Sequence, residues 1–95
     1  MFAIRIDDAG TIILSGRLDA SQAAVAEAVL DRVTASAVAD CRDLDYISSA
    51  GISVLLTLYK RLHDTGHTLR LTRVSDRVRN VFRYAGLDKV FLLDE

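Results

Sequence analysis

The sequence has no proline, no tryptophan, a single cysteine and a formal net charge of only -1 over 95 residues. Because a lone cysteine cannot form an internal disulfide, and because Cys41 follows a short apolar run, we expect Cys41 to be a small buried residue. The balanced charge creates no overall field that would attract nucleic acid or acidic lipid. We therefore expect neither nucleic acid nor a membrane as a partner.

Long apolar runs are also missing from the chain. No window approaches the roughly 18 continuous apolar residues that a membrane-spanning helix needs, and no basic start followed by an apolar stretch marks a signal peptide. A cytoplasmic protein is therefore expected. With 51% apolar and 26% charged residues the composition suits a globular domain, and the length leaves room for only one, at residues 1–95.

The spacing of the apolar residues predicts the secondary structure. Alternating or short apolar runs predict five strands, at residues 2–6, 11–15, 37–41, 68–74 and 90–93. Apolar residues three and four apart predict three helices: one capped by Asp19 or Ser21 and extending to Val33, one from Ser49 to near Gly66, and one from Ser75 to Gly86. This order of elements predicts an α/β fold, a small mixed central sheet covered by helices.

The apolar side of the second and third predicted helices should pack on that sheet. The residues expected there are Ile52, Leu55, Leu56, Tyr59, Leu62, Val78, Val81 and Phe82. On the opposite side of the second helix, Ser49, Ser53, Thr57 and Lys60 recur at intervals of three or four and form a polar stripe. The stripe is either an ordinary solvent-exposed surface or a docking face for a partner.

The stretch YISSAGISVLL places two serines directly before the second helix. A hydroxyl at a helix start accepts a hydrogen bond from a first-turn N–H and is worth about 1 kcal/mol, which explains one serine. Gly51 costs up to about 1 kcal/mol inside a first turn, so we expect Ala50 and Gly51 to leave the backbone open to a partner. A phosphoryl group on Ser49 would also suit a helix N-terminus, so the serines are either a cap only or a modified site.

Four segments carry a family resemblance: SGRLDA at 15–20, DLDYISSAGISVLL at 43–56, LYKRLHDTGHTLRL at 58–71 and VRNVFRYAGLDKVF at 78–91. Together they resemble the STAS domain of bacterial anti-sigma-factor antagonists over nearly the whole chain. The resemblance implies a STAS fold, no enzymatic activity and no cofactor. It also implies that Ser49 is phosphorylated by an ATP-dependent anti-sigma-factor serine/threonine kinase. The unphosphorylated form then binds that kinase and frees its sigma factor, and a PP2C-type phosphatase restores that form.

Two positions qualify this resemblance. Ser48 stands where the family often has an aspartate, which could alter kinase recognition or permit modification of Ser48 itself. Asp19 matches an acidic family position near the serine turn, although an aspartate before a helix is by itself a common cap. The residues expected to bind the partner are Asp19, Ser48, Ser49, Gly51, Ser53, Thr57 and Lys60.

Other functions are less well supported by the residues. The resemblance also allows a constitutive structural subunit, similar to the STAS components of lipid-transport or stress-sensing complexes, in which Ser49 is only a cap. His63 and His67 bracket a predicted helix end, so neither a metal site nor a serine hydrolase triad with Ser49 is expected. The arginines at 70, 73, 77, 79 and 83 are interpreted as a solvated basic face.

Overall fold

The computed structural model describes residues 1–93, and within them it confirms the predicted α/β class and element order. The elements are β1 (Phe2–Ile6), β2 (Ile12–Leu18), α1 (Ala23–Leu30), β3 (Ala37–Ile47), α2 (Ser49–Asp64), β4 (Leu69–Thr72), α3 (Asp76–Tyr84) and β5 (Leu92–Leu93). A short 3-10 turn, Ala20–Gln22, precedes α1.

The strands form one mixed sheet in the order β1-β2-β3-β4-β5. Strands β1 and β2 pair as an antiparallel hairpin, and its turn is held by the Asp7 carboxylate, which accepts the Ala9 and Thr11 N–H groups at 2.9 Å each. The remaining pairs are parallel, and each successive strand is added on the same side through one helix. Because such crossovers are right-handed, the three helices cover one face of the sheet.

Strand β3 is longer than predicted, running through residues 42–47 as well as the predicted 37–41. Its pairing with β2 shifts register twice, so β3 carries two extra residues relative to its neighbour. The buried positions are consequently spaced two, three and three apart, at Ala39, Cys41, Leu44 and Ile47. The sequence prediction ended at Cys41 because it was based on a short apolar run, and the charged residues Arg42, Asp43 and Asp45 interrupt that run.

The core lies between the sheet and the helices, as the apolar spacing predicted. Leu55 and Phe82 are both fully buried, and Phe82 meets Phe91 edge to face at 5.2 Å between ring centroids. Of the eight predicted residues, Leu56, Tyr59 and Val81 are only partly buried against this core. Leu58 was not predicted but is buried, and α2 contacts α1 as well as the sheet.

Helix α1 differs from its prediction at both ends. Asp19 caps the 3-10 turn, and α1 starts only at Ala23. The helix ends at Leu30 instead of extending to Val33. At that end the Arg61 guanidinium of α2 donates to the Leu30 and Val33 carbonyl oxygens at 2.9 and 2.7 Å, so a neighbouring helix supplies donors to carbonyl groups at and just beyond the end of α1.

Candidate partner-binding site at the start of helix α2

The serine turn is attached to the end of β2 by backbone contact. Leu18 and Ile47 are the last paired residues of β2 and β3, and the Ser48 N–H donates to the Leu18 carbonyl oxygen at 2.9 Å. Ser48 is the N-cap of α2: its Oγ accepts the Gly51 N–H at 3.3 Å, and its carbonyl accepts the Ile52 N–H. The prediction that one serine serves as the cap is confirmed, and that serine is Ser48.

Ser49 is the first residue of α2, and it is exposed. The first turn of the helix contains no acidic residue, so the partial positive charge of the helix start is not offset there by a carboxylate of α2 itself. The Ser49 carbonyl accepts the Ser53 hydroxyl at 3.0 Å. With Ser48 acting as the cap, Ser49 is exposed at the first position of the helix.

The structure explains the glycine at position 51 differently from the sequence prediction. It is buried, and a Cβ at this position would lie 2.7 Å from the Leu18 carbonyl oxygen and 2.8 Å from the Ile47 Cγ1 atom. The expectation that Gly51 opens the backbone to a partner is therefore wrong. Glycine is required so that the first turn of α2 can pack directly on the ends of β2 and β3.

Asp19 follows β2 at the same edge of the sheet, one strand away from Ser48. Its carboxylate accepts the Ser21 hydroxyl at 2.6 Å and the Ser21 N–H at 3.0 Å, which makes it the cap of the 3-10 turn. The Ser21 hydroxyl, with smaller contributions from backbone N–H groups and Arg17, lowers the pKa of the Asp19 carboxyl. An ionised carboxylate thus lies beside the serine turn, and the 3-10 turn that it caps contacts α2.

The predicted polar stripe of α2 is exposed along its length. Ser49, Ser53, Thr57 and Lys60 all face solvent, while Leu55 and Leu62 point into the core. The Thr57 hydroxyl donates to the Ser53 carbonyl at 2.9 Å, as the Ser53 hydroxyl does to Ser49. These two hydroxyls bond to the backbone of their own helix, and the stripe ends at the exposed Lys60.

One feature of the site was missed by the sequence interpretation. The Arg17 guanidinium stacks over the Tyr46 ring, 4.2 Å from its centroid, and the two residues are cross-strand neighbours just before Leu18 and Ile47. Such a pair stabilises by about 0.5–1 kcal/mol at an exposed position. The contact between Arg17 and Tyr46 depends on the parallel register of β2 and β3, so no local sequence motif predicts it.

The two histidines have separate surroundings. His63 stacks on Tyr59 with 6.0 Å between ring centroids, whereas the His67 Nδ1 lies 3.3 Å from the Ser36 hydroxyl. Within residues 1–93, His, Cys, Asp and Glu side chains form no group of three that could hold a metal ion. In the same part of the chain, none of the helices combines the length and the apolar character needed to cross a membrane.

Comparisons with known proteins agree with this architecture. The family described as "Mlab, STAS domain" matches residues 2–94. BtrV of Bordetella bronchiseptica, which is named as an anti-sigma factor antagonist, is 34% identical over 91 residues, which cover 92% of this chain and 78% of BtrV. The chain therefore belongs to the STAS-domain family of anti-sigma factor antagonists.

Solved structures of the family share the fold at lower identity. An anti-sigma factor antagonist from Mycobacterium paratuberculosis has a TM-score of 0.81 at 22% identity, with 99% of this chain and 84% of that chain covered. Bacillus SpoIIAA in its phosphorylated form has a TM-score of 0.70 at 20% identity, with 100% and 91% covered. The STAS-like fold that the resemblance implied is thus confirmed.

Proposed function

We propose that this protein is a phosphorylatable switch that binds an anti-sigma-factor serine/threonine kinase when Ser49 is unphosphorylated, so that the kinase releases its sigma factor. Phosphorylation of Ser49 by the kinase and ATP ends the complex, and a PP2C-type phosphatase restores the binding form. The membership of the family and the phosphorylated form of the SpoIIAA relative support this proposal.

The observation that carries the proposal is the different state of the two adjacent serines. The Ser48 hydroxyl accepts the Gly51 N–H and closes the start of α2, whereas Ser49 is exposed at the first helical position. A kinase can approach an exposed hydroxyl without unwinding the helix. Asp19 and the polar stripe of α2 lie around this position and would supply the rest of the contact surface.

A phosphate on Ser49 should weaken kinase binding strongly enough for the protein to act as a switch. A phosphoserine carries about -1.5 to -2 charges at pH 7. If the Ser49 hydroxyl lies in a closely packed contact, the phosphate must be desolvated or expelled from the interface. A penalty of about 3 to 4 kcal/mol would weaken binding by two to three orders of magnitude.

The test is a phosphorylation reaction followed by phosphopeptide mass spectrometry. A kinase captured with the Ser49→Ala variant is incubated with ATP and the wild-type protein, and with Ser48→Ala as the matched control. Label on Ser49 in both proteins is expected, and Ser49→Asp should bind the kinase more weakly than wild type. Label at Ser48 alone would move the site, and no label by a kinase that binds would refute the switch.

The description of the matching family favours a second candidate function. The matching family is that of the "Mlab, STAS domain". A STAS domain of this kind would serve as a constitutive structural subunit of a lipid-transport or stress-sensing complex. In this case the exposed stripe of α2 docks permanently and Ser49 only begins the helix. A partner that binds wild type and Ser49→Asp equally, and transfers no phosphate, would select this function.

A further inference from the structure

Helix α3 exposes a second surface, distinct from the stripe of α2. Its outward side carries Arg77, Asn80, Arg83 and Tyr84, which we call the α3 surface. Val78 and Phe82 hold the other side of the helix in the core. Tyr84 is 90% exposed, and a large aromatic side chain left in water beside arginines is typical of a protein contact site.

Positive charge is concentrated around this helix. Residues 70–89 contain six lysines or arginines against two aspartates, in a chain whose net charge is -1. Arg73 is neutralised by Asp40, with 2.8 Å between Nη2 and Oδ2. Among residues 1–93, by contrast, Arg77 makes no salt bridge, and the Arg83 guanidinium donates to the uncharged Asn80 amide oxygen at 3.2 Å.

A cavity of about 310 Å³ opens beside the start of α3. It lies where β4 has ended at Thr72 while β3 continues to Ile47, so within the described residues no strand flanks this part of β3 on that side. The lining residues are Arg42, Leu44, Asp45, Ser75 and Arg77. Two arginines and one aspartate therefore line the same cavity, and Arg77 belongs both to this lining and to the α3 surface.

We propose that the α3 surface and this cavity bind an acidic segment of a partner protein. A carboxylate of that segment enters the cavity between Arg42 and Arg77, where guanidinium groups can bind it with paired hydrogen bonds. An apolar residue of the segment packs on Tyr84. A protein segment fits better than a nucleic acid, because Asp45 and the exposed Asp76 interrupt the positive charge that a continuous phosphate backbone would follow.

The proposal is tested with a fluorescein-labelled synthetic peptide composed of Glu, Leu and Trp, and with its counterpart in which Gln replaces Glu. Fluorescence anisotropy gives the Kd, and amide chemical shifts locate the peptide. Arg77→Glu should raise the Kd about tenfold or more, and so should Tyr84→Ala. The charge-matched control, Arg32→Glu at an exposed arginine after α1, should stay within about twofold of wild type.

Folding and specificity are checked in the same series. Arg77→Glu adds a negative charge to the first turn of α3, which the helix dipole favours, so circular dichroism should match wild type. Ser49→Asp should leave the peptide Kd unchanged, which separates this surface from the kinase site. Equal effects of Arg77→Glu and Arg32→Glu, shifts spread over the whole surface, or tighter binding of an oligonucleotide or an anionic phosphatidylglycerol vesicle would overturn the proposal.

Discussion

Replacing Gly51 by alanine tests how α2 is seated on the sheet. The new Cβ would lie 2.7 Å from the Leu18 carbonyl oxygen and 2.8 Å from Cγ1 of Ile47. Carbon atoms in favourable contact are about 3.5–4.0 Å apart, so either the first turn of α2 or the end of β2 must move. The same Leu18 oxygen accepts the Ser48 N–H at 2.9 Å, so that movement also strains the serine turn.

Two opposing effects decide the size of the change. Alanine favours a helix over glycine by up to about 1 kcal/mol. Forcing one extra carbon into a packed contact costs about 1–3 kcal/mol, and weakening the Ser48 backbone hydrogen bond adds about 0.5–1.5 kcal/mol. The steric and hydrogen-bond costs exceed the gain in propensity. We expect Gly51→Ala to lower the free energy of unfolding by about 2 kcal/mol, within a range of about 0.5–4.5 kcal/mol, which is a large share of the roughly 5–15 kcal/mol typical of a domain.

Urea denaturation followed by far-ultraviolet circular dichroism measures this loss. The midpoint should fall without a change in the slope, because the surface exposed on unfolding is almost the same. Ser53→Ala is the matched control: it lies on the exposed side of the same helix, and its effect should be within about 0.5 kcal/mol. If Gly51→Ala were as stable as wild type, close packing of α2 on the strand ends would not be the reason for glycine.

Three further outcomes are expected. Lys60→Glu and Ser53→Trp should each weaken the kinase complex about tenfold while leaving the urea midpoint near wild type; unchanged affinity for both would move the interface elsewhere. Ser48→Ala should lower the free energy of unfolding by about 1 kcal/mol because α2 loses its cap, and equal stability would contradict that role. Burial raises the pKa of the Cys41 thiol to about 12. Since the thiol of the unfolded chain has a pKa of about 8.5, stability should fall as the pH rises above that value, and a Cys41→Ala variant should lose part of this dependence.

Helices α2 and α3 could be predicted because local signals agree with their packing. Each has a serine at its start and apolar residues three and four apart, and each serine indeed accepts a first-turn N–H, from Gly51 and from Val78. The sheet then follows from the order of the elements, since parallel strands joined by helices leave few arrangements. These predictions rest on interactions within one segment or between sequential segments.

The features that escaped prediction arise between strands distant in sequence. Two register shifts lengthen β3 and turn its charged residues outward, and the same register places Arg17 over Tyr46. The burial of Gly51 depends on where Leu18 ends a different strand. Composition and spacing do not determine such cross-strand distances. The sequence analysis therefore located the serine turn but gave the wrong reason for glycine at position 51.

The two adjacent serines are not interchangeable, and the geometry of the turn gives the reason. A phosphate on Ser48 would replace the hydroxyl that accepts the Gly51 N–H and would stand beside the strand end to which Ser48 is bonded, so it would disturb the packing of α2. A phosphate on exposed Ser49 would meet the helix dipole in a first turn that has no acidic residue of its own, an interaction worth about 0.3–1 kcal/mol in its favour, which the Asp19 carboxylate beside the turn partly opposes. Modification at Ser49 therefore changes what the surface binds while the fold is kept, whereas modification at Ser48 would also reduce the amount of folded protein.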